Sequence, residues 1–268
     1  MIEILKKEIE KFETSEGKFN HLREILQILI LKIIYDCGFF KNLVFTGGTA
    51  LRVLFDMRRF SEDLDFSLVN REGYKLPEFS QRLKSQIFQY RLEADMKEND
   101  KKTVHQIDVK FRSILFDLAL SDLPEQKLFI RIEVDTNPPE GGKTEVTLIN
   151  KIFVFSIAHF GLPSLFATKL CACFFRKYTK GRDFYDLLWH LTRREEPNYR
   201  LLNNAIKQVH KGEFVQVNKN NFKKFLARHL KRIDFAKVRK DVERFLEDKR
   251  EIDLINKENF LNLTDALK

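Results

Sequence analysis

The chain is poor in the residues that mark several protein classes. Its 268 residues include 10 Gly, 6 Pro and 3 Cys. So little glycine and proline excludes collagen-like and low-complexity chains. The cysteines, Cys37, Cys171 and Cys173, do not have the spacing of a zinc knuckle or of a thioredoxin-like redox pair. We therefore expect buried free thiols in a reducing compartment.

Several catalytic motifs are also missing. The sequence contains no Gly-x-x-x-x-Gly-Lys-Ser/Thr loop, no Gly-x-Ser-x-Gly elbow and no His-Glu-x-x-His pattern. These absences remove support for P-loop, serine-hydrolase and zinc-peptidase chemistry. His190, which follows Trp189, is expected at a helix surface or core edge rather than as a catalytic base.

The sequence lacks a clear membrane segment. Its N-terminus has no basic region followed by an apolar one, so no signal peptide is predicted. The stretch 152–175 has Lys169 as its one full charge, but Gly161-Leu162-Pro163 interrupts it. A lysine inside a lipid-exposed helix is costly, which favours a buried strand, a turn and a buried helix. We predict a cytoplasmic protein without a membrane partner.

Hydrophobic residues and positive charge are abundant. The chain is 43% hydrophobic with 26 Phe, and 48 Lys+Arg against 39 Asp+Glu give a net charge of +9. The hydrophobic content indicates a globular protein, and the charge favours a polyanionic partner such as nucleic acid or an anionic membrane surface. Many bases of the stretch 219–250 lie on predicted helices, where they either face solvent or follow an RNA backbone. They are Lys223, Lys224, Arg228, Lys231, Arg232, Lys237, Arg239 and Lys240.

Hydrophobic periodicity predicts strands and helices in the first half and helices alone in the second. The predicted helices of the first half are 3–12, 19–37, 50–56 and 77–97. The predicted strands are 43–45, 63–68, 103–115, 127–136, 143–149 and 151–157, with a turn at 137–142. The predicted helices of the second half are 163–178, 182–194, 199–210, 219–231, 234–249 and 256–267. The pattern indicates an α+β core, 1–158, followed by a C-terminal helical lobe, 159–268.

A glycine turn and two aspartates stand close together in the first half. Gly47-Gly48-Thr49 lies between a strand and a helix, where free amide groups and the helix dipole favour an anion such as phosphate. Asp63 and Asp65 are two residues apart on the next strand, so their side chains share one face. Two adjacent carboxylates repel one another, and Mg²⁺ would relieve that repulsion.

A third carboxylate follows on a later predicted strand. Glu133 and Asp135 again alternate with apolar residues, and either one could complete a metal site if this strand lies beside the one with Asp63 and Asp65. A glycine turn, paired aspartates and a later acid suit metal-assisted attack on a nucleotide α-phosphate.

The helical half has its own group of charges. Lys169 and Arg176 are seven residues apart and share a helix face, and Lys169 interrupts an otherwise apolar helix, which favours a functional role. Asp183 and Asp186 also share a face and could pair with either base. Asp186 could serve either in a salt-bridge network or in catalysis.

These motifs together resemble a known family. Gly47-Gly48-Thr49-Ala50-Leu51, then Arg59-Phe60-Ser61-Glu62-Asp63-Leu64-Asp65-Phe66, and later Arg182-Asp183-Phe184-Tyr185-Asp186-Leu187 resemble the nucleotidyltransferase toxins of abortive-infection and toxin–antitoxin systems, the AbiEii/AbiGii or MenA-type family. The resemblance covers about residues 43–190. It implies a nucleotidyltransferase-superfamily core, with a mixed sheet flanked by helices and a C-terminal helical bundle.

The resemblance also implies roles for the residues of these motifs. Asp63, Asp65 and Glu133 would bind Mg²⁺, and Lys169, Asp183 and Asp186 would belong to the catalytic machinery. The nucleoside triphosphate would be bound by the following residues: Gly47, Gly48, Thr49, Ser61, Lys169, Arg176 and Arg182.

The implied activity is transfer of nucleotides from a nucleoside triphosphate to RNA. In characterised members of the family the acceptor is the 3′ end of tRNA and the result is a block of translation, so tRNA and a cognate antitoxin are the expected partners. Two alternatives remain at this point: a triphosphate-binding protein that acts without transfer, and an RNA-binding module whose acids are structural.

Overall fold

The computed structural model describes residues 1–210, 212 and 214–267. Its α-helices are α1 (Ile2–Ile9), α2 (Ser15–Asp36), α3 (Gly47–Phe55), α4 (Leu76–Gln89), α5 (Ile114–Asp117), α6 (Leu162–Phe175), α7 (Gly181–Arg193), α8 (Tyr199–Val209), α9 (Phe222–Leu230), α10 (Phe235–Val242) and α11 (Lys257–Asp265). Its strands are β1 (Leu43–Thr46), β2 (Asp63–Leu68), β3 (Ala94–Asn99), β4 (Val104–Phe111), β5 (Leu128–Asp135), β6 (Thr144–Asn150) and β7 (Val154–Phe160).

The strands described here form a mixed sheet in the order β3-β4-β5-β2-β1-β7-β6. Strand β2 is antiparallel to β1 and parallel to β5. Strand β4 is antiparallel to both β3 and β5, and β1 is parallel to β7. The predicted α+β class with a mixed sheet is confirmed.

Strand β5 buries one face and presents polar side chains on the other. In β5 the apolar residues Leu128, Ile130, Ile132 and Val134 are buried, and the residues between them are partly exposed. This alternation follows from the two-residue period of a strand. Helix α2 packs near β5 and α4, and ten of its residues are buried, so it covers much of the apolar side of the core.

The predicted helix 77–97 is too long. Helix α4 ends at Gln89, and Arg91 has a left-handed backbone with a φ of 58°, which interrupts a right-handed helix. Residues 94–99 instead form the edge strand β3, which pairs with β4 along its length. Its sequence, Ala-Asp-Met-Lys-Glu-Asn, has little intrinsic preference for a strand, so pairing with β4 decides its conformation.

Two other predicted elements are also shorter than expected. The predicted strand 103–115 ends at Phe111, because Ser113 adopts a left-handed backbone and α5 begins after it. The predicted helix 234–249 ends at Val242, where a short 3-10 turn follows.

The described chain divides into two compact units. Unit 1 comprises 1–54, 61–138 and 146–159, and unit 2 comprises 55–60, 139–145 and 160–268. In unit 2, α6 packs against α7 and α8, and α7 packs against α10 and α11. The division predicted at 158/159 stays a prediction. None of the described helices is both long and apolar enough to cross a bilayer.

Candidate functional site

The predicted site residues fall into two groups, one in each unit. The first group, called the acid face below, consists of Asp63, Asp65 and Glu133 on the polar side of the sheet in unit 1. Asp63 and Asp65 are partly exposed, while Leu64 between them is buried. Glu133 lies directly opposite Asp65 in the register of β5 against β2. The two strands therefore lie side by side, which is the condition for a metal site shared by Glu133 and the two aspartates.

Asp65 also lies against the glycine turn. Thr46 pairs with Asp65 across β1 and β2, so Gly47 comes immediately beside that carboxylate. Gly47 has a φ of +79°, and any Cβ there would collide with the Asp65 Oδ2, Cβ and Cγ atoms. Glycine is thus required at position 47 for two reasons: its backbone conformation and the approach of Asp65.

The start of β2 is held by hydrogen bonds from buried side chains. The Thr49 hydroxyl donates to the backbone carbonyl of Asp63, and Thr49 is fully buried. The Gln27 Nε2 donates to the carbonyl of Ser61 at 3.0 Å. The Thr49 side chain therefore positions Asp63. Gly48, which precedes Thr49, is buried as well.

Glu133 has a partner that the sequence analysis did not identify. The Gln106 Nε2 donates to Glu133 Oε1 at 2.8 Å, and the two residues are paired across β4 and β5. This hydrogen bond fixes one oxygen of the carboxylate. Asp135, the other candidate for a third acid, lies opposite Ser67 instead and accepts a hydrogen bond from the backbone amide of Asn137. Burial raises the pKa of Asp135.

A cation stands among these acids. Arg131 is opposite Asp63 in the strand register, and its Nε donates to Asp108 Oδ1 at 2.8 Å. The hydrogen bond to Asp108, with the charges of Asp108, Glu133 and Asp63, raises the pKa of Arg131. Arg131 and Glu133 are two residues apart on β5, so the two-residue period of a strand predicts both on the acid face.

The acid face fits a magnesium ion that shares its ligands with a substrate. Within the described ranges, no three His, Cys, Asp or Glu side chains come close enough together to form a complete metal cage. Mg²⁺ usually binds through one or two carboxylates together with substrate phosphates and water. The in-register pair of Asp65 and Glu133, with Asp63 on the same face, supplies oxygen donors of that kind.

The second group, called the buried ion cluster below, lies in unit 2 and consists of the buried Arg59, Lys169, Asp183 and Asp186 together with the more exposed Arg176. Arg59 binds Asp186 with two parallel hydrogen bonds of 2.6 and 2.7 Å. The Lys169 Nζ lies 2.7 Å from Asp186 Oδ2 and 3.1 Å from Asp183 Oδ1. The Arg176 Nη1 donates to Asp183 Oδ2 at 2.6 Å. Lys169 and Arg176 thus pair with the two aspartates, which their spacing along the helices permits.

Mutual attraction keeps this cluster ionised. Burial would raise the pKa of Asp186, but Arg59 and Lys169 outweigh it and lower that pKa. Burial would likewise lower the pKa of Lys169, but Asp186 and Asp183 raise it. The cluster thus holds three cations and two carboxylates. The cluster therefore carries one more positive than negative charge, and Lys169 contacts both carboxylates.

Two further residues of unit 2 have contacts that the sequence did not predict. Arg59, which the sequence analysis assigned no role, is 2% exposed and forms the closest contacts of Asp186; a buried aspartate needs such a partner, but the sequence does not show which base provides it. Arg182, predicted to bind nucleotide, lies over the ring of Phe245, 4.5 Å from its centroid.

His190 is wrongly predicted as a surface or core-edge residue. It is fully buried and stacks on Phe166 at a centroid distance of 4.6 Å. Among the described residues, neither ring nitrogen of His190 finds a hydrogen-bond partner. Burial lowers the pKa of His190 to about 3, so the ring is neutral at physiological pH.

Comparisons with solved structures identify proteins with a similar fold. Two solved structures from Helicobacter pylori share the fold. JHP933 is 21% identical with a TM-score of 0.55, and the match covers 92% of this chain and 91% of that one. A proposed nucleotidyltransferase is 21% identical with a TM-score of 0.56, and the match covers 91% of this chain and 92% of that one. A comparison with curated proteins gives no match.

A family model identifies the chain itself. The model described as "Nucleotidyl transferase AbiEii toxin, Type IV TA system" matches residues 29–261, a range that includes the acid face and every member of the buried ion cluster. The chain is therefore a nucleotidyltransferase that belongs to the AbiEii toxin family of type IV toxin–antitoxin systems.

Proposed function

We propose that this toxin transfers a nucleotide from a nucleoside triphosphate to RNA, with the 3′ end of tRNA as acceptor, and so blocks translation during abortive infection. The observation that most directly supports the proposal is the placement of Asp65, which faces Glu133 across two strands and touches the glycine turn. The same carboxylate thus adjoins both the other acids and the expected phosphate-binding turn.

The reaction joins an acceptor hydroxyl oxygen to the α-phosphorus of the triphosphate, and the hydroxyl proton passes to water. The bond from that phosphorus to the bridging oxygen breaks, and pyrophosphate leaves. Asp63, Asp65 and Glu133 would hold Mg²⁺, which when bound would stabilise the negative charge that grows on the α-phosphate. Gln106 would keep the Glu133 carboxylate in its orientation through the hydrogen bond to Oε1.

The glycine turn is proposed to receive the phosphates. Helix α3 begins at Gly47, so the amide groups of its first turn have no carbonyl partner within the helix. These amides and the helix dipole favour a phosphate group. Gly48 and Thr49 would act through this backbone, while the Thr49 hydroxyl holds Asp63.

The surplus charge of the buried ion cluster supports a nucleotide contact for Lys169. With three cations against two carboxylates, the cluster has a net positive charge, and an anionic ligand beside Lys169 would balance it. Nucleotide contacts at Ser61, Arg176 and Arg182 stay predictions, and so do catalytic roles for Asp183 and Asp186. The contacts of the two aspartates favour a positioning role, because Asp186 orients Arg59 and Lys169.

The net charge of +9 supports an RNA acceptor, because polyanions attract basic proteins. The test is incubation of the purified protein with total RNA, Mg²⁺ and each of the four α-labelled nucleoside triphosphates. Label in the tRNA fraction would support the proposal. Absence of label with all four triphosphates, while a triphosphate still binds, would replace it with nucleotide binding without transfer.

A further inference from the structure

A cavity in unit 2 lies outside both groups of site residues. Its volume is about 580 Å³, which is within the usual range for small-ligand sites. Aromatic side chains from two helices line it: Phe175 at the end of α6, and Phe225 and His229 on α9. We call this cavity the aromatic pocket.

The aromatic side chains of the pocket offer partly exposed ring faces. Phe175, Phe225 and His229 are each half-buried. The rings of Phe175 and Phe225 are nearly parallel, with centroids 6.4 Å apart and an interplanar angle of 17°. His229 packs on Phe225 at 4.7 Å. Half-buried, mutually packed rings are held in place by their neighbours and still leave surface on which a planar ligand can stack.

Three bases also line the aromatic pocket. Lys224, Arg228 and Arg232 occupy positions four residues apart along α9 and the turn after it, and all three are exposed. None of them forms an ion pair with an acid in the part of the chain described here. Like charges at this spacing repel each other on a helix. Arg228 and Arg232 also help burial to lower the pKa of His229, so the local field is positive.

We propose that the aromatic pocket binds single-stranded RNA, with one unstacked base against Phe175 and Phe225 and the flanking phosphates on Lys224, Arg228 and Arg232. This inference rests on the proposed RNA acceptor and names where unit 2 would hold it. Proteins that bind single-stranded nucleic acid without sequence preference combine aromatic rings, on which bases stack, with a row of cations. An acidic protein segment would need the cations but not the ring faces.

The test measures binding of the full chain to two fluorescent decamers, one of uridines and one of abasic ribose phosphates, over a range of KCl concentrations. We expect Phe225→Ala to weaken uridine-decamer binding by about tenfold and abasic binding far less, because stacking requires a base. Arg228→Gln with Arg232→Gln should weaken both and lower the salt slope by about 0.7 for each charge removed. These two side chains are exposed, so this variant should fold even if Phe225→Ala does not.

The matched controls are Phe88→Ala and Lys84→Gln, which remove an exposed ring and an exposed charge from unit 1 and should leave both affinities unchanged. Equal losses for the two decamers in Phe225→Ala would overturn the assignment of a base to the pocket. Competition by polyglutamate as strong as by uridine RNA would overturn it as well, in favour of an acidic protein partner.

The binding test and the labelling test together distinguish failure of the pocket proposal from failure of the proposed function. If the wild type labels RNA but the pocket variants bind both decamers normally, the pocket assignment fails and the transferase assignment stands. If no RNA is labelled but the decamer binds through Phe225 and Arg228, the pocket assignment stands and the proposed transfer to RNA fails.

Discussion

The Asp65 carboxylate occupies the space that a side chain at Gly47 would fill. Two independent requirements therefore meet at one glycine: a left-handed backbone and room for a neighbouring acid. In this nucleotidyltransferase toxin, the contact connects the proposed phosphate-binding turn with β2, the strand that carries Asp63 and Asp65.

Replacement of Gly47 by alanine should abolish transfer. The methyl group would displace Asp65, and the φ of +79° would add a strain of about 1–2 kcal/mol. Gly73 is the matched control, since its φ is +72° but nothing lies within 4 Å of its Cβ position. Melting midpoints and transfer rates should show that Gly73→Ala loses some stability and keeps its activity. Comparable activity in both variants would mean that the Asp65 contact is unimportant.

Gln106 should act through Glu133. We expect Gln106→Leu to raise the Mg²⁺ concentration needed for half-maximal transfer by roughly 10-fold or more, as is typical when a residue that orients a metal ligand is lost. The melting midpoint should change little, because Gln106 is half-buried on β4. A Mg²⁺ requirement equal to that of the wild type would rule out this positioning role. Gln81→Leu on the exposed side of α4 is the control.

Removal of a negative charge from the buried ion cluster should reduce stability more than removal of a positive charge. Asp186→Asn leaves Arg59 and Lys169 buried without their shared carboxylate, so we expect a loss of about 3 kcal/mol or more in the free energy of unfolding. Lys169→Met should cost much less, since both aspartates keep an arginine, yet it should reduce nucleotide affinity. Urea denaturation together with triphosphate titration measures both effects.

Asp248→Asn removes an exposed ion pair with Arg250 and serves as the control for the cluster variants, with almost no expected change in stability. A larger loss of stability in Lys169→Met than in Asp186→Asn would contradict the surplus-charge interpretation.

His190 should make the fold sensitive to acid. Burial lowers its pKa to about 3 from 6.5, so the unfolded chain binds the proton more readily than the folded one. Its contribution to stability is complete above pH 6.5 and decreases as the pH falls toward 3, by about 2 kcal/mol at pH 5.

The His190→Phe variant keeps an aromatic ring against Phe166 and removes the titration. Its free energy of unfolding should therefore fall less than that of the wild type between pH 7 and pH 5. The exposed His210 provides the control His210→Gln, which should follow the wild type. Parallel pH profiles for His190→Phe and the wild type would show that His190 does not titrate with unfolding.

Local patterns were sufficient to predict part of this site. Asp63 and Asp65 share a face because a strand has a two-residue period, and that follows from sequence alone. The register that sets Glu133 rather than Asp135 opposite Asp65 depends on pairing between strands far apart in the chain. No local pattern determines that register, and the two acids were equivalent in the sequence.

Contacts between distant segments explain the remaining differences. Arg59 reaches Asp186 across 127 positions of sequence, so its role could not be predicted from spacing on one helix. Strand β3 is held by its pairing with β4, although residues 94–97 were predicted to continue the preceding helix. His190 was expected at a helix surface or core edge, but packing against Phe166 places it in the core.

The most direct test of the account is the Asp65→Asn variant, assayed for transfer from an α-labelled triphosphate to RNA in the presence of Mg²⁺. We predict that transfer is abolished while the melting midpoint is unchanged or higher, because one of several neighbouring carboxylates has lost its charge. Mg²⁺ with triphosphate should stabilise the wild type and should stabilise the variant much less. Retained transfer, or a melting midpoint far below that of the wild type, would show that Asp65 is structural and would contradict the proposed mechanism.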